Sequence, residues 1–272
     1  MKPYFLMTVD VDPFIPSKRK WIIENGVISL LNLFDKNAIK ATFFVPGAIA
    51  EKFPATIEEI ANKKHEVACH GLMHNASEAN LDVYKQIRTI KNATEIIENI
   101  TGQRPVGFRA PLFKANRNCW IALQKNSYIY DSSIVCSPLY RNKNFGPFLG
   151  AKPYYLPIPK NDEDNALLEI PVSINPFLPL PLGGSWFRIL GLKWAKIGVK
   201  MNFFFQIPVV FYIHPNDLFI FPELYHLDWY LYKNNQNCME MLNKIIVFVR
   251  HQEAQFLTAS ELAKIVIGKN NS

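Results

Sequence analysis

The chain has 272 residues, 49% of them hydrophobic, which is enough apolar material for a large buried core and excludes an intrinsically disordered protein. Its formal charge is +7, from 30 lysines and arginines against 23 aspartates and glutamates, and the cations are scattered along the sequence. That charge favours anionic partners such as phosphate groups or a lipid surface, whereas the lack of a basic run interleaved with aromatics argues against nucleic-acid binding. We expect one domain over residues 1–268 and a disordered tail over residues 269–272.

No stretch of the sequence is suited to cross a membrane. Residues 170–187 are uncharged but contain four prolines and the pair Gly183-Gly184, and residues 201–213 are too few and are interrupted by Pro208. Because the first polar motif begins at Asp10, we expect no signal peptide. The four cysteines are scattered without a C-x-x-C pair, as expected of reduced interior residues. We therefore expect a cytoplasmic protein.

Apolar runs of strand length alternate with helical patterns along the whole chain, which is typical of a mainly parallel sheet covered by helices. Strands are predicted to begin at Tyr4 and then to cover residues 41–45, 66–69, 106–109, 128–131, 167–172 and 209–213, with a short last one at 256–257. Apolar residues at helical spacing predict helices near residues 27–34, 55–63, 83–100, 115–125, 186–200 and 242–249. The capping-box pattern Thr258-x-x-Glu261 predicts the start of a final helix.

Two carboxylates stand at the end of the first predicted strand. Asp10 and Asp12 are separated by one residue, so alternation along a strand points both side chains to the same side. Two adjacent negative charges are unfavourable unless a cation or a shared proton compensates them. Taken alone, the pattern also fits two solvated loop acids.

A pair of histidines follows the third predicted strand. His70 and His74 are four residues apart, a spacing that puts two imidazoles on one face of a helical turn, where both can bind one divalent ion. Two imidazole nitrogens and one carboxylate from the Asp10/Asp12 pair leave open positions for water and substrate. That set is typical of a catalytic metal site, because a structural zinc site is closed by four protein ligands.

Further polar residues fall at or just after the ends of other predicted strands. Arg109, Asp131 and His214 follow the fourth, fifth and seventh strands, and the carboxyl ends of parallel barrel strands form one face, where active sites lie. Each has another reading. Arg109 fits a structural ion pair, His214 fits a hydrogen-bonded core histidine, and Asp131 fits a cap on the following turn.

Taken together, these motifs resemble the polysaccharide deacetylase family, the carbohydrate esterases that share a NodB-like domain. The motifs are Thr8-Val-Asp-Val-Asp12, Ala41-Thr-Phe-Phe44, His65-Glu with His70-Gly-x-x-His74, Phe108-Arg-Ala-Pro111, Tyr130-Asp-Ser-Ser133 and Phe211-Tyr-Ile-His-Pro215. Residues 183–188, Gly-Gly-Ser-Trp-Phe-Arg, resemble a loop of the subgroup linked to bacterial exopolysaccharide loci. The resemblance implies a distorted (β/α) barrel with about seven parallel strands, which agrees with the independent strand count.

The resemblance also assigns roles to the polar residues. It implies a divalent metal, usually zinc, held by Asp12, His70 and His74, with Asp10 as general base, Arg109 as its charge partner and His214 as general acid. Pro111 and Leu112 are candidate substrate-binding residues, and the backbone N–H of Leu112 is a candidate oxyanion donor. Arg188 of the subgroup loop is a candidate for a substrate anion, and Asp131 is a candidate supporting residue behind the site.

The sequence departs from the family pattern at a few positions. The commonest first motif has adjacent aspartates, whereas Val11 separates them here; Ser185 replaces a third glycine of the subgroup loop, and Asn216-Asp217 replaces Trp-Glu. These departures keep the predicted metal ligands and concern the substrate side.

The leading hypothesis is a metal-dependent hydrolase that removes an N-acyl group, acetyl in the first instance, from an amino sugar of a glycan or a lipid-linked glycan precursor. The apolar, proline-braced residues 178–190 fit two interpretations: their turn overhangs the same face of the barrel and touches a lipid-linked substrate, with peripheral contact at the inner membrane face, or they only cover the barrel's side. Two alternatives remain open: an amidase of a small non-sugar C–N substrate on the same fold, and a non-catalytic glycan-binding barrel.

Overall fold

The computed structural model describes residues 2–12, 18–137, 152–158, 166–219 and 237–270. Strands within them are β1 Tyr4–Asp10, β2 Thr42–Val45, β3 Glu66–Cys69, β4 Gly107–Phe108, β5 Tyr130–Asp131, β6 Tyr154–Tyr155, β7 Leu168–Glu169, β8 Val209–Ile213 and β9 Gln255–Phe256. The α-helices there are α1 Arg19–Trp21, α2 Val27–Lys36, α3 Gly47–Lys52, α4 Pro54–Asn62, α5 Val83–Thr101, α6 Arg117–Lys125, α7 Gly184–Phe204, α8 Cys238–His251 and α9 Ala259–Asn270. A π-helical turn, Ile22–Gly26, joins α1 to α2.

The strands form a single sheet in the order β6-β7-β5-β4-β3-β2-β1-β8, and β9 pairs with β1. Every pairing is parallel except that of β6 with β7. The seven main strands predicted from the sequence are therefore the parallel strands β1–β5, β7 and β8. This confirms the predicted parallel (β/α) fold of the NodB-like type, with helices as the crossovers.

The segment after β7 joins the two ends of this sheet. Ser173 N–H donates to the Val210 carbonyl at 3.2 Å, and Tyr212 N–H in β8 donates to the Leu182 carbonyl at 3.2 Å. Gly183, at a φ of 132°, bridges to Tyr212 so closely that an added Cβ would lie 1.9 Å from the Tyr212 carbonyl oxygen, so the position requires glycine. Residues 172–183 thus connect β7 to β8 along the wall of the barrel.

This placement favours the interpretation in which residues 178–190 cover the barrel's side over the one in which they overhang the open face. Leu180, Leu182 and Phe187 are buried, and Leu178 is 42% exposed. Prolines and apolar residues occur here because the segment forms part of the barrel wall and packs against the core. An overhanging loop would have a similar apolar composition, so composition alone does not distinguish the two.

Strand β1 shows how the alternation of side chains divides the core. Phe5, Met7 and Val9 belong to the large apolar cluster that includes side chains of the covering helices, whereas Leu6 belongs to a second cluster with residues of β2, β3, β5, β7 and β8. Thr8 and Asp10 continue the side of Leu6. The inward side of β1 therefore changes from apolar to polar towards its carboxyl end.

No helix among these residues is long and apolar enough to cross a membrane. Helix α9 includes Lys269 and Asn270, the first two residues of the expected tail, and residues 271–272 lie outside the described residues.

Candidate active site

The three predicted metal ligands come together at the carboxyl ends of β1 and β3. One ligand atom from each of Asp12, His70 and His74 lies within 4.8 Å of the others. His74 Nε2 is 2.8 Å from Asp12 Oδ2, and the two imidazole centroids are 5.0 Å apart. Asp12 Oδ1 is buried and has no hydrogen-bond partner among the described residues. A buried carboxylate oxygen with spare capacity beside two imidazoles is a donor set that fits a divalent ion such as zinc.

His70 is oriented by a backbone carbonyl. Its Nδ1 is 2.7 Å from the Arg109 carbonyl oxygen, and because that oxygen can only accept, Nδ1 carries the proton and Nε2 is left as the ligand atom. Burial lowers the pKa of His70 to about 3, so the ring is neutral near pH 7. A neutral imidazole with one nitrogen occupied by a carbonyl is the form in which histidine binds metals.

The histidine pair lies on a loop, and the predicted helical turn is wrong. Gly71 has a φ of 75° and His74 a φ of 54°, values outside the helical region. The Glu78 carboxylate holds this loop by accepting hydrogen bonds from the backbone N–H groups of Leu72, Met73 and Asn75 at 2.9–3.1 Å.

Glu78 was not recognised from the sequence as part of the site. It lies in the 3₁₀ helix Ala76–Asn80, whose N-cap is Asn75, and the two residues form a capping box. The pattern Asn75-x-x-Glu78 immediately after the second histidine was the signal that could have identified it.

The other carboxylate, Asp10, is paired with Arg109. Arg109 Nη1 lies 2.6 Å from Asp10 Oδ1 and donates to Thr8 Oγ1 at 3.0 Å, while Nε and Nη2 donate to the carbonyl and hydroxyl oxygens of Ser132. The guanidinium is fully buried and stacks on the Phe44 ring, 4.1 Å from its centroid. Arg109 is both a buried ion-pair residue and the group that fixes Asp10 at the edge of the metal cluster.

Asp131 acts from behind the Arg109 segment. Its Oδ1 accepts from the Ser133 hydroxyl at 2.5 Å and from Ser132 N–H, and the Ser133 oxygen accepts from Ala110 N–H at 2.7 Å. Burial raises the pKa of Asp131 to about 6. Asp131 therefore fits both predicted roles. It accepts from the backbone N–H of Ser132, as a cap does, and through the Ser133 hydroxyl it supports the segment that carries Arg109.

The turn after Arg109 contains the two residues expected to face the acyl group. Pro111 is buried and contacts the position of Gly71, and it begins the 3₁₀ turn Pro111–Phe113. Leu112 has a φ of 54° and a side chain 45% exposed. The Leu112 N–H belongs to the first turn of this short helix, where backbone N–H groups have no acceptor within the helix. Its role as oxyanion donor stays a prediction.

Across the cluster, His214 directly follows β8 and points Nε2 towards Asp12, with 3.7 Å between Nε2 and Asp12 Oδ1. Asp217 accepts hydrogen bonds from both Nδ1 and the backbone N–H of His214, at 2.9 and 2.8 Å. Burial alone would lower the pKa of His214, but the nearby carboxylates of Asp12, Asp217 and Asp10 outweigh it and raise the pKa to about 9. Without a bound cation the ring is therefore protonated at pH 7.

Arg188 occupies a different place from the one expected. It is 2% exposed, and its Nε lies 2.8 Å from Asp217 Oδ1. This contradicts the expectation that Arg188 meets a substrate anion, because the buried guanidinium already pairs with Asp217. The sequence had drawn attention to Asp217 only as a departure from the family; its spacing of three after His214, across Pro215, was the signal of a carboxylate that caps and orients the histidine.

The site as a whole places a proton acceptor and a proton donor on either side of a cation-binding cluster. Asp10, held by Arg109, lies on one side, and His214, held by Asp217, lies on the other. This arrangement is suited to hydrolysis of an amide, in which water loses a proton and the departing amine gains one.

Comparison with known proteins agrees with this arrangement. A family model described as polysaccharide deacetylase matches residues 2–130. The chain is 35% identical over 111 residues to a peptidoglycan deacetylase-like protein of Gibberella zeae, covering 40% of this chain and 32% of that protein. It is 31% identical over 112 residues to a peptidoglycan deacetylase of Helicobacter pylori, covering 41% of this chain and 38% of that protein. The match therefore spans about a third of the length of these curated relatives.

Among solved structures, a putative polysaccharide deacetylase from Mycobacterium smegmatis superposes with a TM-score of 0.77 at 21% identity. The superposition covers 99% of this chain and 92% of that one. At this identity the likeness concerns the fold, and it extends beyond the part matched by the family model to the strand that carries His214.

Proposed function

Because the chain belongs to the polysaccharide deacetylase family, whose model matches residues 2–130, we propose that it is a metal-dependent hydrolase removing an N-acyl group, acetyl in the first instance, from an amino sugar of a glycan. The observation that carries this proposal is the cluster of Asp12, His70 and His74 flanked by the Asp10–Arg109 and His214–Asp217 pairs.

The proposed metal is zinc, held by Asp12, His70 and His74. Two imidazole nitrogens and a carboxylate oxygen are ligands that zinc commonly takes in hydrolases. When bound, the ion supplies Lewis acidity, which acidifies water and polarises the carbonyl of the scissile amide.

Asp10 is the proposed general base. Its carboxylate is paired with and oriented by Arg109, so it is placed to take the proton of the attacking water, a contribution on the order of 10²–10⁴ in rate. The hydroxide part of that water adds to the acyl carbon, and the acyl group leaves as the carboxylate. Leu112 N–H is the proposed donor to the acyl oxygen as negative charge develops on it.

His214 is the proposed general acid. When the C–N bond breaks, the amine nitrogen needs a proton, and His214 Nε2 faces the cluster while Asp217 holds Nδ1. The carboxylate keeps the ring in one tautomer and stabilises its protonated form. The Arg188 ion pair in turn fixes Asp217. The proton that Asp10 removes and the one that His214 gives balance over the hydrolysis.

The substrate is proposed from the relatives, whose names refer to peptidoglycan, a glycan that carries N-acetylated amino sugars. A lipid-linked precursor of such a glycan, processed in the cytoplasm, is the finer form of the proposal. All four cysteines are buried and unpaired, which supports a reducing compartment. Fractionation of cells that express the chain, with disulfide state as a second readout, tests the location.

The function is tested by metal analysis of the purified chain together with acetate release from N-acetylglucosamine oligomers and from peptidoglycan. We expect about one metal ion per chain and metal-dependent acetate release, both abolished by His70→Ala. His251→Ala, on the exposed end of α8, is the matched control and should leave both unchanged.

The same experiment separates the alternatives. Metal binding with release of ammonia or amine from a small C–N compound, and none from glycans, would favour an amidase. Glycan binding without metal and without acetate release would favour a non-catalytic barrel and would contradict the proposal.

A further inference from the structure

One side of α7 carries only cations and apolar side chains. Gly191, at a φ of 78°, interrupts the helix, and in the part after it the exposed positions are 193, 197, 200 and 204. Steps of four, three and four residues place them in one stripe along the helix, which reads Lys193, Ile197, Lys200 and Phe204. The opposite side, Ala195, Gly198, Val199 and Asn202, is buried against the barrel.

The apolar members of this stripe are unusually open to solvent. Ile197 is 49% exposed and Phe204 is 76% exposed, and the next residue, Phe205, is 52% exposed. Phe204 and Phe205 contact each other edge to face, with 5.3 Å between ring centroids. Two adjacent exposed phenyl rings at the end of a helix are costly in water and indicate a surface that is covered in use.

The charge around the stripe has a single sign. The sequence contains no acidic residue between Glu169 and Asp217, a segment that includes the whole of α7. Within the part of the chain that the structure describes, neither Lys193 nor Lys200 takes part in an ion pair. Their positive charge therefore acts outward and favours an anionic partner.

An apolar groove of about 350 Å³ continues from the end of the stripe. Phe203 and Ile207 line it on one side and Ile265 and Val266 of α9 on the other, and lysines from three parts of the chain, Lys2, Lys152 and Lys269, lie around it. Its lining contains no acidic residue. The stripe and this groove together form a basic–apolar surface.

We propose that the basic–apolar surface docks the protein on an anionic lipid bilayer. Single lysines alternating with bulky apolar side chains match the interface of such a bilayer, where ammonium groups meet the phosphates and phenyl rings enter the acyl boundary. The lysine stems reach upward to the headgroups while the rings at 204 and 205 insert below them. This inference does not rest on the proposed function.

The position of the surface determines how the docked protein is oriented. The groove lies at the amino ends of β1 and β8, beside Tyr4 and Pro208, whereas Asp10 and His214 lie at the carboxyl ends of the same strands. Seven residues of β1 separate the two ends by about 20 Å. Docking through the groove and the Phe204–Phe205 end of the stripe therefore holds the active site away from the bilayer and open to the water above it.

The test is flotation of the full chain with vesicles of phosphatidylcholine alone and with about one third phosphatidylglycerol. The wild type should float with the anionic vesicles and not with the neutral ones, and added salt should weaken the binding. The double variant Lys193→Ala/Lys200→Ala should bind about 25-fold more weakly, which corresponds to about 1 kcal/mol for each lysine near the surface. Phe204→Ser/Phe205→Ser should lower binding at least about 10-fold.

Matched controls separate docking from general effects. Lys36→Ala/Lys91→Ala removes the same charge from exposed positions on α2 and α5 and should change binding less than about 2-fold. Melting temperatures of all variants verify folding. Equal loss in the two lysine variants, or equal binding to both kinds of vesicle, would overturn the proposal. So would dimerisation in sedimentation that Phe204→Ser/Phe205→Ser abolishes, because the surface would then be an interface between two copies.

Discussion

The pair formed by Arg188 and Asp217 offers a quantitative test of how the general acid is held. Both side chains are almost fully buried, at 3% and 1% exposure, and Arg188 Nε lies 2.8 Å from Asp217 Oδ1. The other carboxylate oxygen of Asp217 holds His214 through Nδ1 and through the backbone N–H. The perturbations are Asp217→Asn, Arg188→Met and the two combined.

Asp217→Asn leaves Arg188 buried without its counter-charge, so the free energy of unfolding should fall by about 3–5 kcal/mol, since an uncompensated buried charge is far costlier than an intact pair is stabilising. Arg188→Met should cost less, because Asp217 keeps His214 as a partner at 2.9 Å. The double variant removes both charges and should lose clearly less than the sum of the singles. We expect an interaction energy of about 2 kcal/mol or more in the double-mutant cycle.

The two single substitutions should also differ in their effect on activity. Asp217→Asn replaces the carboxylate that accepts from His214 Nδ1–H and stabilises the protonated ring, and it should lower kcat by about 10²-fold or more, whereas Arg188→Met keeps that carboxylate and should lower kcat less. Urea unfolding gives the free energies, and acetate release gives kcat. Additive destabilisation within about 0.5 kcal/mol, or equal kcat for the wild type and Asp217→Asn, would refute the coupling of Arg188, Asp217 and His214.

Two further predictions concern residues outside this pair. Glu78→Gln weakens the three hydrogen bonds that hold the loop between the histidine ligands. Metal affinity, measured by competition with a chelator, should therefore fall about 10–100-fold. An unchanged affinity would show that the loop keeps its conformation without these hydrogen bonds. Burial, reinforced by the charge of Lys40, lowers the pKa of His65 to about 4, below its ordinary 6.5, and Ala41 N–H donates to its Nδ1. The neutral ring's contribution to stability is therefore complete above pH 6.5 and is lost as the pH falls towards 4. Urea unfolding at pH 7 and 4.5 should show the wild type losing about 2 kcal/mol more than His65→Gln between these pH values, and equal losses would contradict this origin.

Strand patterns predicted most of what positions the site. The alternation of β1 puts Asp10 on the inward side with Leu6 and Thr8, and the rule that parallel strands end on one face brings Asp12, His70, Arg109 and His214 together. These are local periodicities combined with one property of parallel sheets, so they can be read from a single sequence.

Contacts between distant segments could not be predicted in this way. The spacing of His70 and His74 suits a helix, but Gly71 and the carboxylate of Glu78 fold those residues into a loop. Spacing describes which residues would share a face of a helix and cannot say whether a helix forms.

The partner of Arg188 was misjudged for a related reason. Its position in an apolar loop suggested an exposed guanidinium, yet the first turns of α7 pack beside the end of β8 and bury it against Asp217. A buried cation was invisible in the sequence because its counter-charge lies 29 residues away and arrives only through tertiary packing.

The measurement that tests the central claim most directly compares Asp10→Asn with Asp12→Asn for bound metal and for turnover, on protein whose folding is verified by melting temperature. Asp12→Asn should weaken metal binding, because it changes a ligand. Asp10→Asn should retain the metal and lose about 10²-fold or more in turnover, because it removes the proposed base and keeps the ligands. Loss of the metal from Asp10→Asn with full retention in Asp12→Asn would contradict this assignment of the two carboxylates.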